Sequence, residues 1–406
     1  MKIKRKILIV SCVFPPETVV SAKTSYDIAK KFSTGGYLVD VICPSPSRNV
    51  DMEYSVGQDI NLKIKRVKTS TSNSSSFISR FFENLSFGLL AFFNIIFSKR
   101  YDAVYVNTWP VFAVGLVGLA CKIRDFRVVS AVQDLYPESL VAQKRIKEGG
   151  LIYRVLLFLD KLSVSFMSKL LVISPSFRKA YVNGRGVDKN KIVLFNNWMK
   201  ISSFLGLDVK EAREKLAENY GINLRGKFVT AYGGNIGVAS GIYDYVCRWS
   251  KLDDAGIFLL AGAGSELERI RKFIKDNNIE SKFRILSPWP DDASEALLSS
   301  ADVLALPIAE GQESASVPSK MISYMYSARP IIMLTDRNSL PAQVLVDSSA
   351  GFVVDHEDDL QLIYNNITSL NQVELTEFGI NGRSYAKENY SCSPNFYKIK
   401  KAMLDE

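Results

Sequence analysis

Thirteen short runs of apolar, mostly β-branched residues alternate with helix-like segments along this 406-residue chain. A strand that is apolar on both faces needs helices on both sides, so the pattern predicts buried parallel strands joined by helical crossovers. Seven runs lie in the first half: Lys6–Ser11, Leu38–Cys43, Ile64–Val67, Ala103–Val106, Val128–Val132, Leu170–Ile173 and Ile192–Leu194. Six lie in the second: Phe228–Tyr232, Ile257–Ala261, Phe283–Leu286, Val303–Leu306, Ile331–Leu334 and Phe352–Val354. The pattern restarts after Asn196-Asn197-Trp198, which predicts two consecutive doubly wound α/β domains with a hinge near Asn197–Gly206. Sheets of this kind bind ligands at the carboxyl ends of their strands, so a site is expected in a cleft between the domains.

Composition narrows the chemistry. The only histidine is His356, which excludes multi-histidine metal sites and makes a Ser-His-Asp triad untenable except through that residue. Its setting, VVDHEDD, reads as a loop. The five cysteines, Cys12, Cys43, Cys121, Cys247 and Cys392, form no CxxC pair and are odd in number, which points to a reducing compartment without a disulfide framework. Charge is unevenly placed: residues 1–200 carry 30 Lys+Arg against 14 Asp+Glu, and residues 201–406 carry 21 against 28. A basic first half suits an anionic partner: a membrane, a nucleic acid or a phosphorylated substrate.

A Ser/Thr/Asn patch over 69–76 reads as a loop. It leads into FISRFFENLSFGLLAFFNIIFSKR, Phe77–Arg100. There Ile78, Phe81, Phe82, Leu85, Leu89, Phe92, Phe93 and Ile96 recur at helical spacing and predict one apolar face. The apolar part is shorter than the ~20 residues that span a bilayer. Either this is a crossover helix buried on the sheet, or it lies in a membrane interface with Phe81, Phe92 and Phe93 as contacts.

Several strand ends carry ligand-cleft chemistry. Ala301–Leu334 holds two strand-like runs, a polar loop with Glu310 and Glu313, and a Pro318-Ser319-Lys320 turn that opens a helix. Unpaired N–H groups and the positive dipole end at a helix start favour phosphate, and a lysine there adds charge. AYGGNIGVASGI (Ala231–Ile242) and LLAGAGSELER (Leu259–Arg269) are two more strand-to-helix turns. Gly234 and Gly262 admit close backbone approach to a ligand, and Asn235 suits a helix cap or a ligand hydrogen bond. In the first half, FPPE (Phe14–Glu17) follows the first strand, with Pro16 and Glu17 on the expected loop. DLYPESL sets Asp134 and Glu138 at a strand's carboxyl end, where a carboxylate orients a sugar hydroxyl or takes its proton, or else caps a helix. No GxGxxG fingerprint is present, which disfavours NAD or FAD.

Together FPPE, DLYPESL, GGNIG, AGAGSELE, SSADVLALP, VPSKxxxYM followed by RPII, and the ending KENYS resemble the family 4 glycosyltransferases of the two-Rossmann-domain (GT-B) type. Within that family the chain looks most like the L-fucosamine (N-acetylfucosamine) transferases of bacterial O-antigen and capsule assembly. The resemblance implies an acceptor-binding, membrane-facing domain over 1–203 and a nucleotide-sugar-binding domain over 204–390. A terminal helix over 391–406 would cross back to the first domain. It implies transfer of a sugar, as an N-acetylated amino or deoxy sugar, from a UDP-linked donor, with retention and with no cofactor or metal. The acceptor would be a lipid-linked saccharide at an anionic cytoplasmic membrane face, the enzyme being peripheral to the inner membrane. Carried over, Gly234, Asn235, Gly262, Ser319, Lys320, Ser323 and Glu310 would form the nucleotide-sugar site, Pro16 and Glu17 an acceptor or donor loop, and Asp134 and Glu138 the catalytic pair. The chain departs from the family at Ser323, where a ribose-gripping glutamate is usual, at Ala328, where glycine is usual, and after GNIG, where Val238-Ala239-Ser240 stands in place of a basic residue. A catalytically degenerate binding subunit and a GT-B sugar-nucleotide epimerase are the alternatives.

Overall fold

A computed structural model describes residues 4–17, 19–46, 59–69, 77–107, 111–142, 144–198, 208–289, 293–310 and 317–405. Glu313, the 70–76 patch and most of the expected hinge lie outside them. The chain divides into two compact units, Met1–Trp198 with Ser393–Glu406, and Met199–Cys392.

The first unit is built on seven parallel strands: β1 (Lys6–Ser11), β2 (Leu38–Pro44), β3 (Leu62–Val67), β4 (Ala103–Asn107), β5 (Val128–Val132), β6 (Lys169–Val172) and β7 (Ile192–Leu194). Their order is β3-β2-β1-β4-β5-β6-β7. Ile9 sits in register with Val41 on one side and Tyr105 on the other. Every residue of β4 and β5 is buried, as helix cover on both faces requires. Edge strand β3 alternates instead and exposes Lys63 and Lys65, a guard against edge-to-edge pairing.

The second unit repeats the design with β8 (Val229–Gly233), β9 (Ile257–Ala261), β10 (Phe283–Leu286), β11 (Val303–Ala305), β12 (Ile331–Leu334) and β13 (Gly351–Val354). The order is β10-β9-β8-β11-β12-β13, again all parallel. In each sheet the winding reverses beside its first strand, so the crevice for a ligand lies outside the carboxyl ends of β1 and β4, and of β8 and β11.

The terminal helix Cys392–Leu404 belongs to the first unit. The buried Asn395 Oδ1 accepts the Asn196 N–H at 2.7 Å, Phe396 meets Phe32 edge-on, and Arg127 donates to the Ala402 carbonyl at 3.0 Å.

The helix Phe77–Ile96 buries a different stripe from the one its spacing predicts. Phe87, Gly88, Ala91 and Ile95 face the core, whereas Phe82, Leu89 and Phe93 are exposed and Phe81 and Phe92 are half-buried. The reason is contact distance. A Cβ at Gly88 would fall 2.9 Å from the Ala113 Cα, so the small residues, not the large ones, set the approach to the helix Phe112–Ile123.

Candidate functional site

In the second unit three strand ends are tied into one structure. β8 runs out at Gly233, whose N–H donates to the buried Tyr324 hydroxyl at 2.9 Å and whose carbonyl lies 3.1 Å from the same oxygen. Gly234 then adopts φ +143°, and its N–H donates to the Ala261 carbonyl at 3.0 Å. A Cβ at Gly234 would sit 2.5 Å from Lys320 Cε, so glycine is what lets the lysine cross the turn. Gly262, at φ +141°, is required for a matching reason: its Cβ would fall 1.8 Å from the Gly234 carbonyl oxygen. Ile236 N–H to Ala263 O and Glu266 N–H to Ile236 O complete the stitching.

Lys320 lies in the first turn of the helix Ser319–Tyr326, which Pro318 enters in extended conformation and which no side chain caps among the described residues. The Lys320 ammonium donates to the Tyr232 hydroxyl and sits 3.8 Å from the Tyr232 ring centroid. The Tyr232 hydroxyl in turn donates a hydrogen bond to the Asn235 carbonyl at 2.5 Å. Burial brings Lys320 down to about 7 and pushes Tyr232 up to about 12. A half-buried amine at a helix start, with no carboxylate partner among the described residues, has the charge and access that an anion would need.

Of the expected residues, Gly234, Asn235, Gly262 and Lys320 come together here. Asn235 does not cap a helix: the next helical turn has Gly237 at its N-cap. Its exposed side chain instead lies where Cβ atoms at Gly237 and Gly264 would touch it. Ser319 is exposed, and one turn on, the Ser323 hydroxyl donates back to the Ser319 carbonyl at 3.2 Å. Glu310 is exposed, just after Ala309, which packs on Gly241. Tyr232 and Tyr324 were missed by sequence reasoning; the AYGG and YMY motifs hold them, but nothing in a tyrosine's position announces a lysine above its ring.

In the first unit a cavity of about 290 Å³ opens at the carboxyl ends of β1, β4 and β5. Asp134 lines it; the residue keeps an exposed edge, yet desolvation raises its pKa. Glu138 does not line it. Both its oxygens take hydrogen bonds from Arg185, at 2.6 Å each. Burial works to raise Glu138, but Arg185 outweighs it and holds the carboxyl below its ordinary value. A carboxylate clamped on both oxygens is a poor proton acceptor, so the geometry gives Glu138 a structural partner where the sequence suggests a catalytic group. Pro16 and Glu17 form a self-closed loop: the Glu17 carboxylate accepts the Phe14 N–H at 3.2 Å, and Arg66 donates to the Pro15 carbonyl.

Three helices of this unit lie side by side. Gly88 packs on Ala113, and a Cβ at Gly115 would fall 2.6 Å from Ser163 Oγ of the helix Leu151–Ser165. Each turns apolar residues outward: Phe82, Leu89 and Phe93, then Leu119 and Ile123, then Leu151, Ile152, Val155, Phe158 and Leu162. Lys99, Arg100, Lys122, Arg154 and Lys161 are exposed on or beside them. No helix among the described residues is long and apolar enough to cross a membrane.

The profile of the family described as "Glycosyl transferase 4-like domain" matches residues 21–198. Over 298 residues the chain is 23% identical to the probable glycosyltransferase WbjE of Pseudomonas aeruginosa, with 72% of each chain covered. Its fold is similar to that of Anabaena Alr3699/HepE, solved in complex with UDP, at a TM-score of 0.68 and 14% identity over 98% of both chains. It is also similar to WaaG, a glycosyltransferase involved in lipopolysaccharide biosynthesis, at a TM-score of 0.65 and 13% identity, covering 98% of this chain and all of that one. Residues 21–198 are thus similar to a glycosyl transferase 4-like domain, in a chain whose two parallel-sheet α/β units have the GT-B fold.

Proposed function

We propose that the chain is a glycosyltransferase that moves an N-acetylated amino or deoxy sugar from a UDP-linked donor to a lipid-linked saccharide, with retention and without a metal. The C1–O bond to the diphosphate breaks, the acceptor oxygen bonds to C1, and the acceptor proton leaves with UDP. The observation that carries the reading is Lys320, a half-buried amine with no carboxylate partner among the described residues, laid across Gly234 at a helix start. It matches a diphosphate in charge and in backbone access. Asp134, on the cavity of the first unit, faces the acceptor or the reacting sugar. The similarity to WbjE, described as a probable glycosyltransferase, and to WaaG, described as a glycosyltransferase involved in lipopolysaccharide biosynthesis, supports the reaction class and a role in O-antigen or related assembly, and the UDP complex of HepE supports the donor nucleotide.

The outward apolar stripes of the three helices, with their exposed lysines and arginines, support peripheral attachment to an anionic membrane at its cytoplasmic face. Each nearby Lys or Arg contributes about 1 kcal/mol to such binding.

A direct test is UDP release from a panel of UDP-sugars mixed with bacterial lipid extract, for the wild type and Lys320→Ala. Release from at least one sugar that depends on both the extract and Lys320 is expected. Ser323, whose hydroxyl is turned to its own helix backbone, favours a second reading as a binding subunit. UDP binding without turnover of any sugar would support that reading instead.

A further inference from the structure

One stretch of the first sheet lacks the helix cover that the rest of its face has. On neighbouring parallel strands, residues in register share a face. Ile42 of β2 pairs with Lys65 of β3, and Asp40 with Lys63. Ile42 is buried in the cluster that holds Phe87, Ala91 and Ile95, so this is the face that the helix Phe77–Ile96 covers. Along β3 that face reads Lys63, Lys65, Val67: Val67 is buried in the same cluster, whereas both lysines are exposed. The helix thus covers the carboxyl end of β3 and leaves its amino end open, and the open part carries charge in place of apolar side chains.

The opening is a groove of about 550 Å³, within the range of ligand pockets. Lys63 and Lys65 line it from the strand; Phe93, Phe97 and Lys99 line it from the end of the helix and the turn that follows. The Phe93 and Phe97 rings lie nearly parallel with centroids 6.5 Å apart, and these residues are 53% and 82% exposed. Two features that would turn an anion away are answered. Asp40, the one carboxylate among the lining residues described, is paired with Lys6 at 2.7 Å and accepts the Tyr101 hydroxyl at 2.7 Å. The helix end, whose free carbonyls carry negative partial charge, is closed by Arg124, which donates to the Ile96 and Ser98 carbonyls at 2.6 and 3.0 Å. Lys63, Lys65 and Lys99 themselves have no carboxylate partner among the described residues. Guarding the sheet edge accounts for lysines on β3. It does not account for a third lysine and two bare rings across a groove from them.

Cations beside exposed rings fit a ligand that is anionic at one end and apolar at the other. Phe93 also belongs to the outward apolar stripe with Phe82 and Leu89, so the groove opens beside the surface that would meet a bilayer. It lies towards the amino ends of the strands, opposite the carboxyl ends where substrates of such sheets bind, which suits a lipid of the bilayer and not a reactant. We propose that this groove holds the headgroup of one anionic phospholipid, its phosphate among Lys63, Lys65 and Lys99 and its chains along Phe93 and Phe97. The result is a discrete, saturable lipid site in addition to diffuse attraction. Its use at a bilayer rests on the peripheral-membrane reading; its occupation by a soluble lipid does not.

The test is calorimetric titration of the full chain with dihexanoyl phosphatidylglycerol kept monomeric, and with dihexanoyl phosphatidylcholine, glycerol 3-phosphate and oligo(dT). Flotation on phosphatidylglycerol vesicles is measured on the same samples. One phosphatidylglycerol is expected to bind per chain, and the other three ligands at least about tenfold more weakly. Lys63→Gln with Lys65→Gln should weaken that binding at least about tenfold at an unchanged melting temperature. Lys122→Gln with Lys161→Gln, which removes the same charge from helices outside the groove, should leave it within about twofold. Equal loss from both pairs, or loss from neither, means diffuse attraction only and overturns the proposal. So does equal binding of phosphatidylcholine, equal binding of glycerol 3-phosphate, which would make the groove a site for free phosphate, or equal or tighter binding of oligo(dT), which would make it a nucleic-acid surface. Flotation without soluble-lipid binding sinks this inference and leaves peripheral attachment standing; soluble-lipid binding without flotation does the reverse.

Discussion

The two units share one design and invert its electrostatics. The half of the chain that forms most of the first unit carries a net charge of +16, yet its strand-end cavity presents two carboxylates and no lysine or arginine among the lining residues described. The other half carries −7, yet its strand-end turn presents a lysine without a carboxylate partner among the described residues. Bulk charge therefore does not read out site charge. The field of a unit steers what approaches its surface, whereas the site is set by which side chains the strand ends aim inward. On this account the basic surface serves a membrane and the acidic cavity a sugar, while the lysine turn serves a diphosphate.

The largest expected difference is between the two buried cations. Arg185→Ala leaves Asp160 and Glu138 without their partner and should cost about 3–5 kcal/mol in urea unfolding. Lys320→Ala removes a desolvated amine whose one side-chain partner is the Tyr232 hydroxyl, itself anchored to the Asn235 carbonyl, and should cost little stability. Equal losses would erase the distinction between a structural and a functional cation.

Next is the outward face of the helices. Phe93→Ser with Phe158→Ser removes two exposed rings, each worth about 1.5–3 kcal/mol if fully buried in lipid. Flotation with anionic vesicles should fall by about ten- to a hundredfold, while UDP binding is unchanged. Vesicle binding untouched by the pair would return these helices to ordinary surface.

A pH effect of about tenfold per unit follows from Lys320. Its pKa in the folded protein is lowered to about 7, so above pH 7 the amine is mostly neutral and must take up a proton to pair with a phosphate. Phosphate, with a second pKa near 6, is already ionised there. UDP affinity should fall as pH rises above 7, and calorimetry in buffers of different ionisation enthalpy should register proton uptake at pH 8. Uptake of no proton would mean that Lys320 is already charged.

The smallest effect concerns Ala328, held at φ +55° in the left-handed region that favours glycine. Relief of that strain, about 1–2 kcal/mol, outweighs the entropy of an added glycine, so Ala328→Gly should stabilise by about 0.5–1 kcal/mol in thermal unfolding. Destabilisation would show that the methyl group packs more than it strains.

All thirteen strands were legible in the sequence, the central ones because a buried parallel strand must be apolar on both faces, and edge strand β3 only over its Ile64–Val67 part, since its exposed face carries Lys63 and Lys65. The meeting of the turns at Gly234, Gly262 and Lys320 was legible too, since these are residue types that few other roles demand at a strand end. The buried stripe of Phe77–Ile96 was not. Periodicity finds the largest side chains, whereas helix contact here is set by the smallest, Gly88 and Ala91. Nor was the role of Glu138, because its partner Arg185 lies 47 residues away and only the fold brings them together.

The most direct measurement is calorimetric titration of UDP into the wild type and Lys320→Ala. The account predicts binding to the wild type, at least tenfold weaker binding to the variant, and the same melting temperature for both. Equal affinity in the two proteins, or no binding of UDP to the wild type, would contradict it.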